Sequence, residues 1–320
     1  VKALPNLSEI KAAAEVVYRT MPPTPQFTWP LLNARAGCEA WVKHENHTPV
    51  GAFKIRGGLV YMDWLRRMRP EVTTVISATR GNHGQSVATA GALHGLRVVI
   101  VVPFGNSREK NAAMRAQGAE LIEFGDDFEA AADHAAQLEA EHGWHRVRSY
   151  DPLLVLGVAT YALEFLSAVP ELETAYVPVG MGSGISGMIA VRDALRLKTK
   201  IVGVVSSRAP AQALSFAKGA VVEHAATTAI ADGVACRRPD PTTLEIVRAG
   251  VERFVEVDDG AVEDAMRAYF SDTHNVAEGA GAIGLAALLQ DRARGGGRVG
   301  TVQCGGNVDS DVFARVLGRH

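Results

Sequence analysis

Of the eight lysines in the chain, Lys54 stands in unusual company, within His44-Glu45-Asn46-His47-Thr48-Pro49-Val50-Gly51-Ala52-Phe53-Lys54-Ile55-Arg56-Gly57-Gly58. Flanked by Ala52, Phe53 and Ile55, it sits where an apolar wall would disfavour a charged ammonium and lower its pKa. An unprotonated amine is what a Schiff base requires. The ordinary alternative is an exposed lysine kept charged by water.

Glycines write a second chemistry. Tyr176-Val-Pro-Val-Gly180-Met181-Gly182-Ser183-Gly184-Ile-Ser-Gly187 reads as a strand, a Gly-rich turn and the start of a helix. In such a turn successive backbone N–H groups converge, and the helix N-terminus adds positive potential, so a phosphate is held with few charged side chains. A tight turn with close helix packing is the structural alternative. Gly182-Ser183-Gly184-Ile185-Ser186-Gly187 also spells the dinucleotide fingerprint G-x-G-x-x-G. That fingerprint wants an acidic residue about 20 positions on. Here the next strand ends Val205-Ser206-Ser207-Arg208, and an arginine suits a 2′-phosphate. An NADP-dependent oxidoreductase therefore competes at this point.

Other chemistries are less well served. Cys38, Cys236 and Cys304 are odd in number, widely spaced and without any C-x-x-C, which fits neither a disulfide framework nor a zinc site and implies a reducing, cytoplasmic setting. His134, His142 and His145 fit an exposed helix face and its end, so no metal is expected there. With 33 basic and 35 acidic residues the net charge is -2, and there is no basic stripe for nucleic acid or an anionic membrane. A small-molecule partner is the expectation. The longest apolar stretch, 153–169, is broken by Glu164 and falls short of the roughly 18 to 20 residues of a membrane helix. No basic region followed by an apolar run opens the chain, so no leader is expected.

These loops need elements to hold them. The chain has 320 residues, 47% of them hydrophobic, enough for two domains or one large α/β unit. Apolar runs at 74–77, 97–102, 119–124, 174–179, 200–206 and 298–303 are predicted strands. Helical spacing of apolar residues covers 82–94, 127–142, 154–169, 262–270 and 280–292. The repeated βαβ pattern implies parallel sheet, whose ligands sit beyond the carboxyl ends of the strands. Gly-rich loops at 77–85, 180–187 and 304–307 each follow a strand and precede a helix, and 295–297 reads as a surface turn.

Four blocks together resemble the fold type II pyridoxal 5′-phosphate (PLP) enzymes, in the branch of serine and threonine dehydratases (ammonia-lyases) and serine racemases. They are the Lys54 block, Ser77-Ala-Thr79-Arg80-Gly81-Asn82-His83-Gly-Gln85, the loop 180–187, and Cys304-Gly-Gly-Asn-Val-Asp309, whose order and spacing span nearly the whole chain. Ala231-Asp232-Gly233 and Glu278-Gly279-Ala280-Gly281 also match positions lining the cofactor. The resemblance implies an α/β fold of two open, twisted, mostly parallel sheets flanked by helices, tryptophan synthase β-like. It implies a large PLP-binding domain (1–73 and 151–320) and a small substrate-loop domain (74–150), with the cofactor in the cleft, and a homodimer. Lys54 would carry the cofactor as a Schiff base, with Phe53 packed beside the ring and Asn82 bonded to its hydroxyl. Gly180, Met181, Gly182, Ser183 and Gly184 would hold the phosphate, Gly233 and Glu278 would lie beside the ring, and Cys304 would face the pyridine nitrogen as a neutral thiol. Thr79, Arg80, Gly81, Asn82 and His83 would grip the substrate carboxylate.

The implied reaction is dehydration and deamination of a 3-hydroxy amino acid such as L-threonine or L-serine, with Lys54 as base and the cofactor phosphate as acid to the leaving hydroxyl. Arg80 departs from the pattern, standing where dehydratases tend to have Ala and racemases have a proton-donating Ser. An always-charged guanidinium is a poor acid, which disfavours a racemase and leaves Arg80 either to read an anionic or bulky substrate side chain or to face solvent. Phenylserine, hydroxyaspartate and a hydroxyectoine-pathway compound are alternative substrates. Ser207, Ala211 and Ala213 replace the carboxylates with which several relatives bind a divalent cation, so that site is expected to be empty or weak. With the sequence stopping at His320, no C-terminal regulatory domain is expected. A sensor that binds a phosphorylated ligand without catalysis is the non-enzymatic alternative.

Overall fold

The computed structural model describes residues 4–291 and 297–318. The described residues form ten strands: β1 Gln26–Thr28, β2 Glu39–His44, β3 Thr74–Ala78, β4 Arg97–Val102, β5 Glu120–Glu123, β6 His145–Arg146, β7 Thr174–Pro178, β8 Lys200–Ser206, β9 Arg253–Val257 and β10 Arg298–Gln303. They build a six-stranded sheet in the order β1-β2-β10-β7-β8-β9 and a four-stranded sheet in the order β5-β4-β3-β6. All pairings are parallel except β1 with β2. This is the α/β architecture of two helix-flanked sheets expected above. Each predicted strand forms with ends shifted by at most one or two residues, while β1, β2, β6 and β9 are additions. Gly295 and Gly296 of the expected surface turn, and Arg292 at the end of the expected last helix, lie outside the described residues.

Strand β4 reads as an unbroken apolar run after Arg97, and β3 is buried along its whole length, because helices cover both their faces. Val75, Ile76 and 98–102 are all buried. The helix Pro152–Ala168 is apolar almost all round, as a helix enclosed by others must be. Asp151 caps its first turn and Pro152 sits where no N–H is needed. It crosses the helix Lys54–Met68 at a point where both surfaces are glycine. A Cβ on Gly157 would fall 2.3 Å from the Arg56 carbonyl oxygen, and one on Gly57 would fall 2.9 Å from that of Leu154. This close approach seats the helix that begins with Lys54.

Candidate active site

A cleft of about 740 Å³ opens where β3, β7 and β10 end, at Thr79, Gly180 and Cys304. Its wall brings together Phe53, Lys54, Thr79, Arg80, Gly81, Asn82, His83, Gly180, Met181, Gly233, Glu278 and Cys304. Gly182, Ser183 and Gly184 form the turn behind it, Ser183 within reach of the Lys54 amine. A second hollow of about 830 Å³ lies at the opposite, amino-terminal ends of β7 and β8, beside Thr174 and Lys200, and none of the site residues expected from the sequence borders it.

Lys54 Nζ donates to Ser183 Oγ at 3.0 Å and lies 4.9 Å from the Phe53 ring centre. Burial lowers its pKa to about 8, against a smaller upward pull from Cys304. Phe53 is fixed edge-on to Tyr161, and its N–H donates to the Cys304 carbonyl at 3.0 Å, which ties the lysine block to the loop after β10.

The glycine turn is held from outside. Gln212 Nε2 donates to the Gly180 carbonyl at 2.8 Å, Thr243 Oγ1 to that of Met181 at 3.0 Å, and Tyr161 Oη to that of Gly184 at 2.8 Å. In a planar trans peptide the following N–H points the opposite way, so pinning these carbonyls aims the amides of Met181, Gly182 and Ile185 away from their clamps. Gly182 has φ +100°, a conformation side chains rarely adopt. A Cβ on Gly180 would fall 2.5 Å from the Gly233 carbonyl oxygen.

Several helices carry a side-chain cap, but two whose first turns face the cleft do not. Asn6, Ser107, Asp127, Asp151, Asp240 and Asp258 each cap a helix with a side-chain oxygen. The helices Ser183–Ala194 and Asn82–Leu93 have no side-chain cap. Their first-turn N–H groups are left for an external acceptor, and a helix N-terminus favours an anion. The Gly81 N–H is not among them, because it donates to Thr79 Oγ1 at 3.0 Å. The Thr79 N–H is likewise taken, donating to the Val101 carbonyl at 3.0 Å.

Among the described residues the buried His83 Nε2 has no hydrogen-bond partner, and burial, reinforced by Lys54, lowers the imidazole pKa to about 3. The imidazole is therefore neutral. Cys304 is 9% exposed, and burial holds its thiol well above the ordinary value, so it stays protonated and donates to the Ala280 carbonyl at 3.2 Å. Arg80 is exposed at the cleft. Arg208, the arginine of the NADP reading, instead approaches Asp259 at 3.8 Å and does not border the cleft. The three histidines considered for a metal are dispersed, His134 stacking on Phe124, His142 on Trp144 and His145 meeting Tyr61 Oη at 2.9 Å. Ser207 is exposed in the turn after β8, while Ala211 and Ala213 are buried.

Sequence reasoning missed Lys110, Gln212, Thr243 and Tyr161, and the rim formed by 223–227 with Arg237 and Arg238. Only Lys110 carried a signal, as another of the few lysines in a βα unit.

An amine of lowered pKa between two uncapped helix N-termini fits a phosphate-bearing aldehyde and an amino-acid carboxylate, the ligand set of a PLP enzyme. The family model of the pyridoxal-phosphate dependent enzymes matches residues 17–305, and the chain belongs to that family. Within it, the chain falls in the fold type II branch of threonine and serine dehydratases, ammonia-lyases and racemases. It is 31% identical over 318 residues to the L-threonine ammonia-lyase of Thermotoga maritima, covering 98% of this chain and 78% of that one. It is 30% identical over 318 residues to the L-threo-3-hydroxyaspartate ammonia-lyase of Saccharomyces cerevisiae, covering 98% and 97%. Among solved structures it resembles a T.th. threonine deaminase at a TM-score of 0.88 and 29% identity, covering 95% of this chain and 99% of that one. Maize serine racemase gives 0.89 at 27% identity, covering 98% and 97%.

Proposed function

We propose that the chain removes the β-hydroxyl and the amino group of a 3-hydroxy amino acid of the L-threonine or L-serine type, releasing a 2-oxo acid and ammonia. The observation that carries this reading is the Lys54 amine, its pKa lowered by burial, set between two uncapped helix N-termini. The amides of the 180–185 turn hold the cofactor phosphate, Phe53 packs beside the ring, Gly233 gives it room, and Asn82 meets its hydroxyl. Bound there, PLP supplies an electron-withdrawing ring that takes up the charge left at Cα when its proton departs. Cys304, a neutral thiol, suits elimination, which needs less charge stabilisation at the ring nitrogen than transamination does.

The first-turn amides of Asn82, His83 and Gly84 hold the substrate carboxylate. Lys54 Nζ takes the Cα proton, the Cβ–O bond breaks, and the hydroxyl takes up a proton and leaves as water, so that one proton is gained at Lys54 and one is consumed at the leaving oxygen. The enamine set free is hydrolysed, consuming one water, so the net products are the 2-oxo acid and ammonia. A guanidinium at Arg80 cannot readily return a proton from the opposite face, which favours a lyase over a racemase. Chiral analysis of recovered serine tests this, since accumulation of the D-isomer faster than ammonia release would overturn it.

Arg80 favours a finer reading. It makes no hydrogen bond or ion pair among the described residues and borders the same cleft as Lys54. There it would receive an anionic side chain, as in 3-hydroxyaspartate, the substrate class named by the yeast relative. Arg80→Ala is expected to lower kcat/KM for 3-hydroxyaspartate by about 30-fold while changing that for serine less than about 3-fold, read by ammonia release. An equal change for both substrates sinks the finer reading alone.

The amine also sets a pH dependence. With its pKa lowered to about 8, the neutral fraction of Lys54 rises through pH 7 to 9 and is nearly complete by pH 10, where an ordinary lysine is still mostly charged. Cofactor-free protein should take up PLP faster as pH rises, levelling off by about pH 9. A rate still climbing steeply between pH 9 and 10.5 would show an unperturbed amine.

Among the described residues no helix is long and apolar enough to cross a membrane. A cytoplasmic homodimer with 74–150 as the small domain completes the proposal.

A further inference from the structure

Lys110 lies on the helix Arg108–Ala116, beside the four-stranded sheet, yet its side chain crosses to the other side of the cleft. It is buried, and its stem passes so close over Gly81 that a Cβ there would fall 2.5 Å from Lys110 Cδ. Nζ ends 3.0 Å from Asp232 Oδ2 and 3.1 Å from Glu278 Oε2. The other Glu278 oxygen, Oε1, accepts a hydrogen bond from Asn82 Nδ2. Asn82 Oδ1 in turn accepts from Asn307 Nδ2 at 2.9 Å, and Asn307 donates its other N–H to the Val50 carbonyl at 2.8 Å.

The chain of partners has a direction. Asn307 can only donate to Asn82 with the nitrogen it presents, so the Asn82 oxygen faces Asn307 and its nitrogen faces Glu278. Two carboxylate oxygens serve both Lys110 and Asn82 without conflict, since each only accepts. One N–H of Asn82 is then left for the cleft. We propose that Lys110 is a positioning residue: by gripping one oxygen of Glu278 it commits the other to Asn82, and so turns an Asn82 N–H toward the ring oxygen of the cofactor. This rests on the PLP reading above. At Lys110 the carboxylates of Glu278 and Asp232 outweigh burial and hold the ammonium's pKa above its ordinary value. At Glu278 burial outweighs the pull of Lys110, its leading partner, and the carboxyl's pKa is raised, so the ammonium is what keeps that acid within reach of ionisation.

The test exploits the difference between an acid and an amide. In Glu278→Gln, Lys110 still demands an oxygen, so the new amide must present its NH2 to Asn82. Two NH2 groups then face each other, or Asn82 flips and offers oxygen to the cofactor oxygen. Removing the ammonium as well lifts that constraint: in the double variant Lys110→Met with Glu278→Gln, the amide is free to turn its oxygen back to Asn82. Holoenzymes stripped of cofactor are titrated with PLP, reading tryptophan fluorescence and the visible absorbance band, with melting of the stripped proteins alongside. Glu278→Gln is expected to bind PLP about 30-fold more weakly than the wild type, and the double variant to return to within about 5-fold. A merely structural lysine predicts the reverse order, the double variant being the weaker.

Wild-type affinity in Glu278→Gln, or a double variant no tighter than that single one, overturns the inference. Should the double variant not fold, Glu278→Gln decides: a loss of affinity with unchanged melting upholds it, and wild-type affinity overturns it. If the wild-type protein itself takes up no PLP, it is the functional reading that fails.

Discussion

Lys54→Ala is expected to yield a folded protein whose turnover has fallen by at least about 10³-fold, because one side chain supplies both the covalent hold on the cofactor and the base at Cα. The stripped variant should melt no lower than the stripped wild type. Burial of the amine carries a cost, visible in its lowered pKa, and alanine removes it. Loss of function with retained stability thus separates a chemical role from a structural one. Borohydride reduction followed by intact-mass analysis gives the direct readout: wild type gains the mass of one reduced cofactor, on the peptide containing Lys54, and the variant gains none. A variant keeping a tenth of the wild-type turnover would remove Lys54 from the mechanism. Colourless wild-type protein that binds NADP instead would restore the oxidoreductase reading of the glycine loop. That reading is tempting for a physical reason, since a pyrophosphate and a cofactor phosphate are held by the same device, a glycine turn feeding a helix N-terminus.

Burial on both faces makes some strands unmistakable in the sequence, while the edge strand β5 and the half-exposed helix Phe128–His142 are legible from their periodicity alone. β4, with five consecutive buried residues after Arg97, cannot be mistaken for a loop. β2 escapes because Lys43 and His44 make it read as surface, whereas both are fully buried. His44 is held by Gln303 and Trp29, and burial lowers its pKa to about 4. The site divides the same way. Lys54, Asn82 and 180–184 belong to contiguous motifs and stand out wherever the chain is read. Gln212, Thr243 and Tyr161 act on the glycine turn from other helices, and a lone glutamine on an amphipathic helix looks like any solvated one until the fold brings it to a carbonyl. The direction in which Lys110 points is likewise a property of packing, carried by no local pattern.

Arg56→Met is expected to be the most destabilising single substitution near the site, at about 3 to 5 kcal/mol, because it removes one partner from a buried ionic cluster. The guanidinium, fully buried two residues after Lys54, meets Glu45 at 2.7 and 2.9 Å, Glu164 at 2.6 and 2.8 Å, and Thr160 at 3.0 Å. Lys43 adds a second cation, 2.6 Å from Glu164. The cluster joins the start of the lysine-bearing helix to β2 and to the helix Pro152–Ala168, so its geometry also sets where Lys54 emerges. Without Arg56, two carboxylates must share Lys43. Urea unfolding of the stripped protein measures the loss, and a value under about 1 kcal/mol would show that the cluster adds little. The sign of its pH dependence is fixed by Glu164. Burial raises that carboxyl's pKa, but Arg56 and Lys43 outweigh it and hold the group below its ordinary value in the wild type. Taking Arg56 away lets burial prevail, so the variant's Glu164 takes up a proton at higher pH than before and then needs no cation. The deficit of Arg56→Met relative to wild type should therefore shrink as pH falls from 8 to 5. A deficit that grows over that range would place the cost in lost packing around the side chain and not in the stranded charge.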